Sequence, residues 1–242
     1  MAIVKLSWSG GKDSTAAALL HLERGDKLKM VCYIPMFTKE IPLILKSHYE
    51  FILRAADYFR SRGADVHIVS GITYYDYVLT RSSVTKLVYG FPCFIRGKCG
   101  FKRDSKEKAI RQCDVGYFDY ECIGIASDEV SRHNQLTDKK RSILVEQEVR
   151  QVDCALLCMN YNLYSPVYSD RKRDGCALCF NAKAEERRRW FNDYPQAFFV
   201  LLHLQELVKA EKPNIYPLRN YKWFIEPNYQ LGIAYQEEYI IN

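Results

Sequence analysis

The feature that most constrains the fold is a short apolar strand followed directly by a glycine turn and a helix. Residues 3–8 (IVKLSW) predict the strand, residues 9–14 (SGGKDS) the turn, and the run TAAALLHLE a helix that ends near Gly25. Glycines at such a turn let backbone N–H groups approach phosphate oxygens, and the helix N-terminus adds the positive end of its dipole. The sequence therefore predicts a phosphate-binding turn.

Strands and helices continue to alternate along the chain. Further strands are predicted over 29–35, 65–70 and 120–127, with helical patterns between them. This alternation is typical of an α/β fold with a Rossmann-like, doubly wound and mainly parallel sheet. After about residue 146 the pattern changes to helices only. We therefore expect a nucleotide-binding domain over 1–146 and a helical, cysteine-containing section over 147–242.

The composition is that of a folded protein that stays out of the membrane. Of its 242 residues 48% are hydrophobic and 26% are charged, and no window approaches the roughly 18 uninterrupted apolar residues of a spanning helix. The first residues lack the apolar core of a signal peptide, so we expect a cytoplasmic location. The net charge of +6 suits an anionic ligand and leaves a nucleic-acid substrate open.

The turn is not a Walker A loop, because Leu6 stands where the first glycine of that motif belongs and Asp13 follows Lys12. The string Ser-Gly-Gly-Lys-Asp-Ser instead resembles the signature of the PP-loop ATP pyrophosphatases, also called adenine nucleotide alpha hydrolases. In that family the loop binds the pyrophosphate part of ATP, and the α-phosphate is attacked to give an adenylated intermediate. The resemblance implies ATP with magnesium as the cofactor.

Three further segments resemble the phosphoadenosine phosphosulfate (PAPS) reductase-like branch of that superfamily. They are GIASDEVSRH from Gly124, GKCGFKRDSKEKAI from Gly97 and the stretch DGCALCFNAKAEERRRWFNDYP. Together with the turn they cover most of residues 1–205. Two departures from the true PAPS reductases favour ATP chemistry over sulfonucleotide reduction. They are the intact Gly-Gly-Lys-Asp core and a C-terminus without cysteine. The Asp-Thr-Gly that commonly follows the second strand in the family is replaced here by residues 33–38, YIPMFT.

The resemblance and the chemistry of the side chains together give a set of candidate site residues. Lys12 supplies a positive charge, Asp13 can orient the turn or help bind magnesium, and Arg132 follows a strand end where open α/β sheets place their ligands. We assign catalytic roles to these three, with a plain surface turn as the alternative for Arg132. The expected nucleotide contacts are Ser7, Ser9, Gly10, Gly11, Lys12, Asp13, Ser14, Gly124, Asp128 and Glu129.

Nine cysteines in a chain expected in a reducing compartment favour metal ligation or thiol chemistry for those that cluster. Cys176 and Cys179 have the Cys-x-x-Cys spacing with which two thiolates bind one zinc or iron. The family resemblance adds Cys99, and Cys93 is the nearest candidate for a fourth ligand. An iron–sulfur cluster, a zinc site and reduced cysteines packed as small hydrophobes remain open.

Two other cysteines and one basic run receive less specific interpretations. Cys154 and Cys158 lie four residues apart, hence on one face of a helix, and core packing is predicted for them. The run 171–173 (RKR) suits either phosphates of a large substrate or a solvated loop. The aromatic tail from residue 213 suits an irregular segment packed on the body of the protein or on a second subunit of a homodimer.

These patterns predict an enzyme that binds ATP, releases pyrophosphate by adenylating a substrate, and couples this step to sulfur or other group transfer. The acceptor would be a nucleic acid or a sulfur carrier. One alternative is reduction of PAPS or adenosine phosphosulfate. An alternative from another class is a nucleotide-sensing or nucleic-acid-binding module with a zinc knuckle and no turnover.

Overall fold

The structure is a computed structural model that describes residues 1–92, 94–95, 98–170, 175–179 and 181–211. In chain order the regular elements are β1 (Ile3–Trp8), α1 (Lys12–Glu23), β2 (Lys27–Tyr33), α2 (Lys46–Ser61), β3 (Asp65–Val69), α3 (Tyr74–Leu79), β4 (Phe94–Ile95), β5 (Lys98–Cys99), a π-helical segment (Lys102–Glu107), α4 (Lys108–Gln112), β6 (Tyr120–Ile123), a 3₁₀ segment (Val130–Gln135), β7 (Lys140–Arg141), α5 (Ile143–Glu146), α6 (Gln151–Asn160), α7 (Val167–Asp170), α8 (Ala184–Asp193) and α9 (Gln196–Glu211).

The chain forms two compact units, each assembled from separate stretches of sequence. The first comprises Met1–Ile34, Lys46–Ser70 and Lys108–Asp174. The second comprises Pro35–Leu45, Gly71–Glu107 and Gly175–Asn242. This division does not coincide with the predicted boundary at residue 146, because α6 belongs to the first unit and packs against α1.

The first unit is built on a five-stranded parallel sheet with the order β3-β2-β1-β6-β7. The chain moves outward from β1 through β2 to β3 and then returns to the other side of β1, which confirms the predicted doubly wound topology. Right-handed crossovers place α1 and α2 on one face of such a sheet and α4 on the other. The strand β7 was not predicted, because two exposed basic residues carry no strand pattern.

The central strands explain why this sheet forms. In β1 the alternate residues Val4, Leu6 and Trp8 are buried, and β2 is buried along most of its length, as expected for a parallel strand covered on both faces. One face of α2 is apolar and is buried too, including Phe51 and Phe59. Burial of these side chains supplies the main stabilising free energy of the first unit.

Aromatic packing organises the second unit. The ring of Phe37 meets Trp190 edge-on at 5.3 Å between centroids, and Tyr74 packs against Phe37 at 6.0 Å. The indole N–H of Trp190 donates to the Pro42 carbonyl at 2.8 Å, which joins α8 to the 35–45 segment. Every regular element after residue 146 in the described part of the chain is a helix, and no helix there has both the length and the apolar character needed to cross a membrane.

A buried carboxylate fixes the start of β1 to the end of α1. Asp26 accepts hydrogen bonds from the Ala2 N–H at 2.9 Å and from Arg24 Nε at 2.6 Å, and it lies 2.9 Å from His21 Nδ1. Burial raises the pKa of Asp26, but these hydrogen bonds and the charge of Arg24 outweigh it and lower the pKa to about 2. The ionised Asp26 carboxylate therefore stabilises the folded state.

We expect Asp26→Asn to lower the free energy of unfolding by about 2 kcal/mol at pH 7, measured by urea denaturation. Because the folded pKa is depressed, this contribution is complete above the unfolded pKa of about 4 and is lost as the pH falls from there towards 2. The difference between variant and wild type should therefore shrink below pH 4. The control is Asp57→Asn, since Asp57 is 76% exposed and forms a salt bridge with Arg60, a contact worth less than about 0.5 kcal/mol. Equal losses in both variants would contradict this account.

Candidate phosphate-binding site

The turn at 9–14 lies at the carboxyl end of β1, the central strand of the sheet. The strand order reverses at this position, because β2 lies on one side of β1 and β6 on the other. Open α/β sheets bind their ligands in the crevice at such a switch point. The predicted turn is therefore placed where this class of fold forms a site.

Gly10 and the two serines fix the shape of the turn. Gly10 has a φ of +72°, and a Cβ there would lie 2.6 Å from Cγ1 of Ile52, so no larger residue fits. The Ser9 hydroxyl accepts from the Gly11 N–H at 3.2 Å, and the Ser14 hydroxyl accepts from the Ser9 N–H at 3.2 Å and bonds the Gly11 carbonyl at 3.1 Å. The serine side chains therefore brace the turn itself.

Three backbone N–H groups of the turn are not used in the hydrogen bonds of the turn itself. The N–H groups of Gly10, Asp13 and Ser14 donate no hydrogen bond to any residue within the described ranges. Asp13 and Ser14 belong to the first turn of α1, where N–H groups lack partners inside the helix. Aligned donors at a helix N-terminus form a site for phosphate or another anion.

Gly124, directly after β6, lies against the backbone of Ser14. A Cβ at Gly124 would lie 2.6 Å from the backbone nitrogen of Ser14 and 2.8 Å from its Cα. Any side chain there would collide with the first turn of α1 or displace it. The structure thus brings the predicted residue Gly124 next to the turn, although 110 residues separate it from Ser14 in the sequence.

The charged residues of the turn are already paired with each other. Lys12 Nζ lies 2.6 Å from an Asp13 carboxylate oxygen and 3.3 Å from Oε1 of Gln151, and the Lys12 backbone N–H donates to the Tyr168 hydroxyl at 3.2 Å. Burial raises the pKa of Asp13 in spite of the Lys12 ammonium group, and the negative charge of Glu129 adds to the rise. The Asp13 carboxylate would therefore gain from a further cation.

The other predicted site residues on the 124–132 segment lie in the same unit. Glu129 accepts from the Ala126 N–H at 3.1 Å and from Arg132 Nη1 at 2.8 Å, which places its charge near Asp13. The guanidinium of Arg132 is 45% exposed, so it can exchange this carboxylate for another anion. The Asp128 carboxylate accepts from the backbone N–H of Gln151 at the start of α6.

Ser7 is the predicted contact that faces away from the turn. Its hydroxyl donates to the Glu121 carboxylate at 2.9 Å across the β1–β6 pair. In this position Ser7 joins two strands of the sheet, and direct contact between Ser7 and a nucleotide stays a prediction.

Four residues near the turn were missed as functional candidates. Gln151 and Tyr168 contact Lys12, and Cys158 donates to the Lys12 carbonyl at 3.2 Å. Burial and then the negative charge of Asp13 raise the pKa of Cys154, one turn before Cys158 on α6. They lie about 140 to 156 residues beyond the turn. Single Gln, Tyr and Cys residues form no sequence motif that would link them to it. The predicted burial of both cysteines is confirmed, since neither is exposed.

The predicted cysteine site is not assembled among the described residues. Cys99, Cys176 and Cys179 all belong to the second unit and are half-buried. Within the described ranges, no three or more Cys, His, Asp or Glu side chains form a group that could bind a metal ion. Cys93 and the basic run 171–173 lie outside these ranges, and so does the aromatic tail from residue 213. Metal ligation by the cysteines therefore stays a prediction.

Comparisons with known proteins add little to this geometry. No protein-family model matches the chain, and no curated protein matches it. One solved structure that resembles it is a 4-thiouridine synthetase in complex with RNA and bound ATP, with 15% sequence identity and a TM-score of 0.38. The match covers 87% of this chain and 54% of that one, so the chain spans about half the length of that protein. A likeness this weak carries no argument about function.

The requirement for glycine in the turn can be tested by comparing two glycines with similar backbones. Gly10 and Gly25 both have positive φ, +72° and +80°, but a Cβ at Gly25 would meet no described atom within 4 Å. Gly25→Ala should therefore cost only the backbone strain of about 1 kcal/mol, whereas Gly10→Ala should cost about 2 to 4 kcal/mol, because the clash with Ile52 adds to it. Thermal and urea unfolding of both variants measure the difference. Equal costs would show that the packing around the turn is looser than described.

Proposed function

We propose that the chain is an ATP-using enzyme of the PP-loop type that adenylates a substrate and releases pyrophosphate. The observation that supports this most directly is that the N–H groups of Gly10, Asp13 and Ser14 have no hydrogen-bond partner among the described residues. They lie at the switch point of a doubly wound sheet. The resemblance of residues 9–14 to the PP-loop signature and of residues 124–133 to the PAPS reductase-like branch supports the same reading.

The geometry of the turn suits a polyphosphate better than a single carboxylate. The three N–H donors follow the backbone from Gly10 into the first turn of α1 and can bind successive phosphate oxygens. Lys12 adds a positive charge that is now paired with Asp13 and Gln151. A rotation of its side chain can turn this charge towards a phosphate. A β-phosphate or γ-phosphate at the N-terminus of α1 would draw this ammonium group away from Asp13.

Asp13 and Glu129 would help hold the magnesium ion that accompanies ATP. Magnesium bound to a nucleotide uses one or two carboxylates together with phosphate oxygens and water, so it needs no larger protein cage. The raised pKa of Asp13, which burial and then the nearby Glu129 charge favour, fits a carboxylate that lacks sufficient positive charge around it. When bound, the ion would neutralise charge on the departing pyrophosphate.

The reaction that follows is a displacement at the α-phosphate. A nucleophilic oxygen of the acceptor bonds to the α-phosphorus, the bond from that phosphorus to the bridging oxygen breaks, and pyrophosphate leaves with the electron pair. The turn holds the leaving group, and Arg132, once released from Glu129, stabilises negative charge on the reacting phosphate. We propose a nucleic acid or a sulfur carrier as acceptor, with sulfur transfer as the step after adenylation.

The proposal predicts that Lys12→Ala and Asp13→Asn bind magnesium-ATP at least about tenfold more weakly than wild type, because Lys12→Ala loses a charge-assisted contact to the phosphates and Asp13→Asn loses a charged ligand of the magnesium ion. Isothermal titration calorimetry measures the dissociation constants. Asp13→Asn should lose most of the magnesium dependence of ATP binding, whereas Lys12→Ala should weaken binding with and without magnesium. Both variants should fold, since the two side chains belong to the turn and are 16% and 23% exposed.

Lys27→Ala is the matched control for Lys12→Ala. It removes the same charge from an exposed position at the start of β2, so ATP affinity should remain that of wild type. If Lys12→Ala and Asp13→Asn also bind ATP normally, the assignment of the turn as the phosphate site is wrong.

The type of reaction is tested by the products. With ATP and the cellular RNA and small-protein fraction as acceptors, we expect pyrophosphate and AMP in equal amounts, and none above background with Lys12→Ala. With PAPS or adenosine phosphosulfate and a thiol reductant, we expect no sulfite. Sulfite release would identify a sulfonucleotide reductase. Tight ATP binding without pyrophosphate from any acceptor fraction would favour the nucleotide-sensing alternative.

A further inference from the structure

We propose that Cys158 is a positioning residue that holds the phosphate-binding turn through a thiol hydrogen bond. It lies on α6, which packs against α1, and its side chain is buried. This inference rests on the proposed function for its effect on ATP, but the contact that carries it is present without any ligand. It assigns to the thiol a role beyond the core packing that its spacing from Cys154 predicts.

Cys158 binds the backbone at the start of α1. Its Sγ lies 3.2 Å from the Lys12 carbonyl oxygen. On the opposite side of the same residue, the Lys12 N–H donates to the Tyr168 hydroxyl. The peptide groups on both sides of Lys12 are thus held by side chains, which limits how far the first turn of α1 can open.

The Cys158 thiol can serve as a donor because it keeps its proton. Burial raises the pKa of Cys158 to about 12, and the negative charge of Asp13 adds to the rise. The group is therefore a neutral S–H donor at pH 7 and not a reactive thiolate. This distinguishes it from the cysteines of the second unit, for which metal ligation is predicted.

The test of the backbone contact is hydrogen exchange of the turn without nucleotide, followed by mass spectrometry. In Cys158→Ala we expect amides of peptides spanning residues 9–16 to exchange about three- to tenfold faster than in wild type, the effect of losing one hydrogen bond. Cys158→Ser keeps a donor and should restore most of the protection. The matched control is Cys122→Ala, which removes another fully buried thiol of the first unit, one on β6 whose Sγ is 4.0 Å from Ile123 O.

If exchange of the 9–16 peptides is equally fast in Cys158→Ala and Cys122→Ala, the positioning role is wrong and the thiol only fills space. Should Cys158→Ala fail to fold, Cys158→Val removes the donor while filling the site, and Cys122→Val is then the control. Equal exchange in that pair would overturn the proposal as well.

ATP binding then separates this inference from the proposed function. We expect Cys158→Ala to weaken magnesium-ATP binding about three- to tenfold, since the turn loses one hydrogen bond that holds it, and Cys158→Ser to restore most of the affinity. Cys122→Ala should match wild type. If wild type binds ATP and Cys158→Ala binds it equally well, the effect of Cys158 on the site is wrong while the proposed function stands. If wild type binds no ATP, the proposed function fails, and the exchange experiment still decides whether Cys158 holds the turn.

Discussion

The close approach of Gly124 to the first turn of α1 is the contact on which the rest of the site depends. With no side chain at this position, the end of β6 lies against the backbone of Ser14 without displacing the first turn of α1. The same approach brings the segment after β6 close enough for the charge of Glu129 to act on Asp13. A bulkier residue at either Gly10 or Gly124 would move the helix end away from the position where strands β1 and β6 finish.

Much of the fold could be predicted because its signals are local. The alternation of apolar and polar residues in β1, the apolar second half of β2 and the helical periodicity of α2 each lie within one short window. The turn could be predicted for the same reason. Two glycines between a strand and a helix indicate a turn with a backbone conformation that other residues rarely adopt. The doubly wound order follows from the alternation of elements and from the right-handed crossover rule.

What could not be predicted depends on contacts between distant parts of the chain. The hydroxyl of Tyr168 on α7 and the thiol of Cys158 on α6 reach Lys12 across about 150 residues, and the packing of α6 on α1 brings the thiol there. The assembly of each compact unit from three separate stretches is likewise a tertiary effect, so a boundary read from the change of pattern at residue 146 misses it. The metal site was inferred from spacing, which says nothing about whether Cys99 approaches the Cys-x-x-Cys pair.

The central claim is that ATP phosphates bind to the backbone of the turn at 9–14. Titration of isotopically labelled protein with magnesium-ATP, observed through backbone amide resonances, tests it most directly. The account predicts that the resonances of Gly10, Asp13 and Ser14 shift together with ATP and with pyrophosphate, and that they shift little with adenosine. Saturable shifts elsewhere, with these three resonances unmoved, would contradict it.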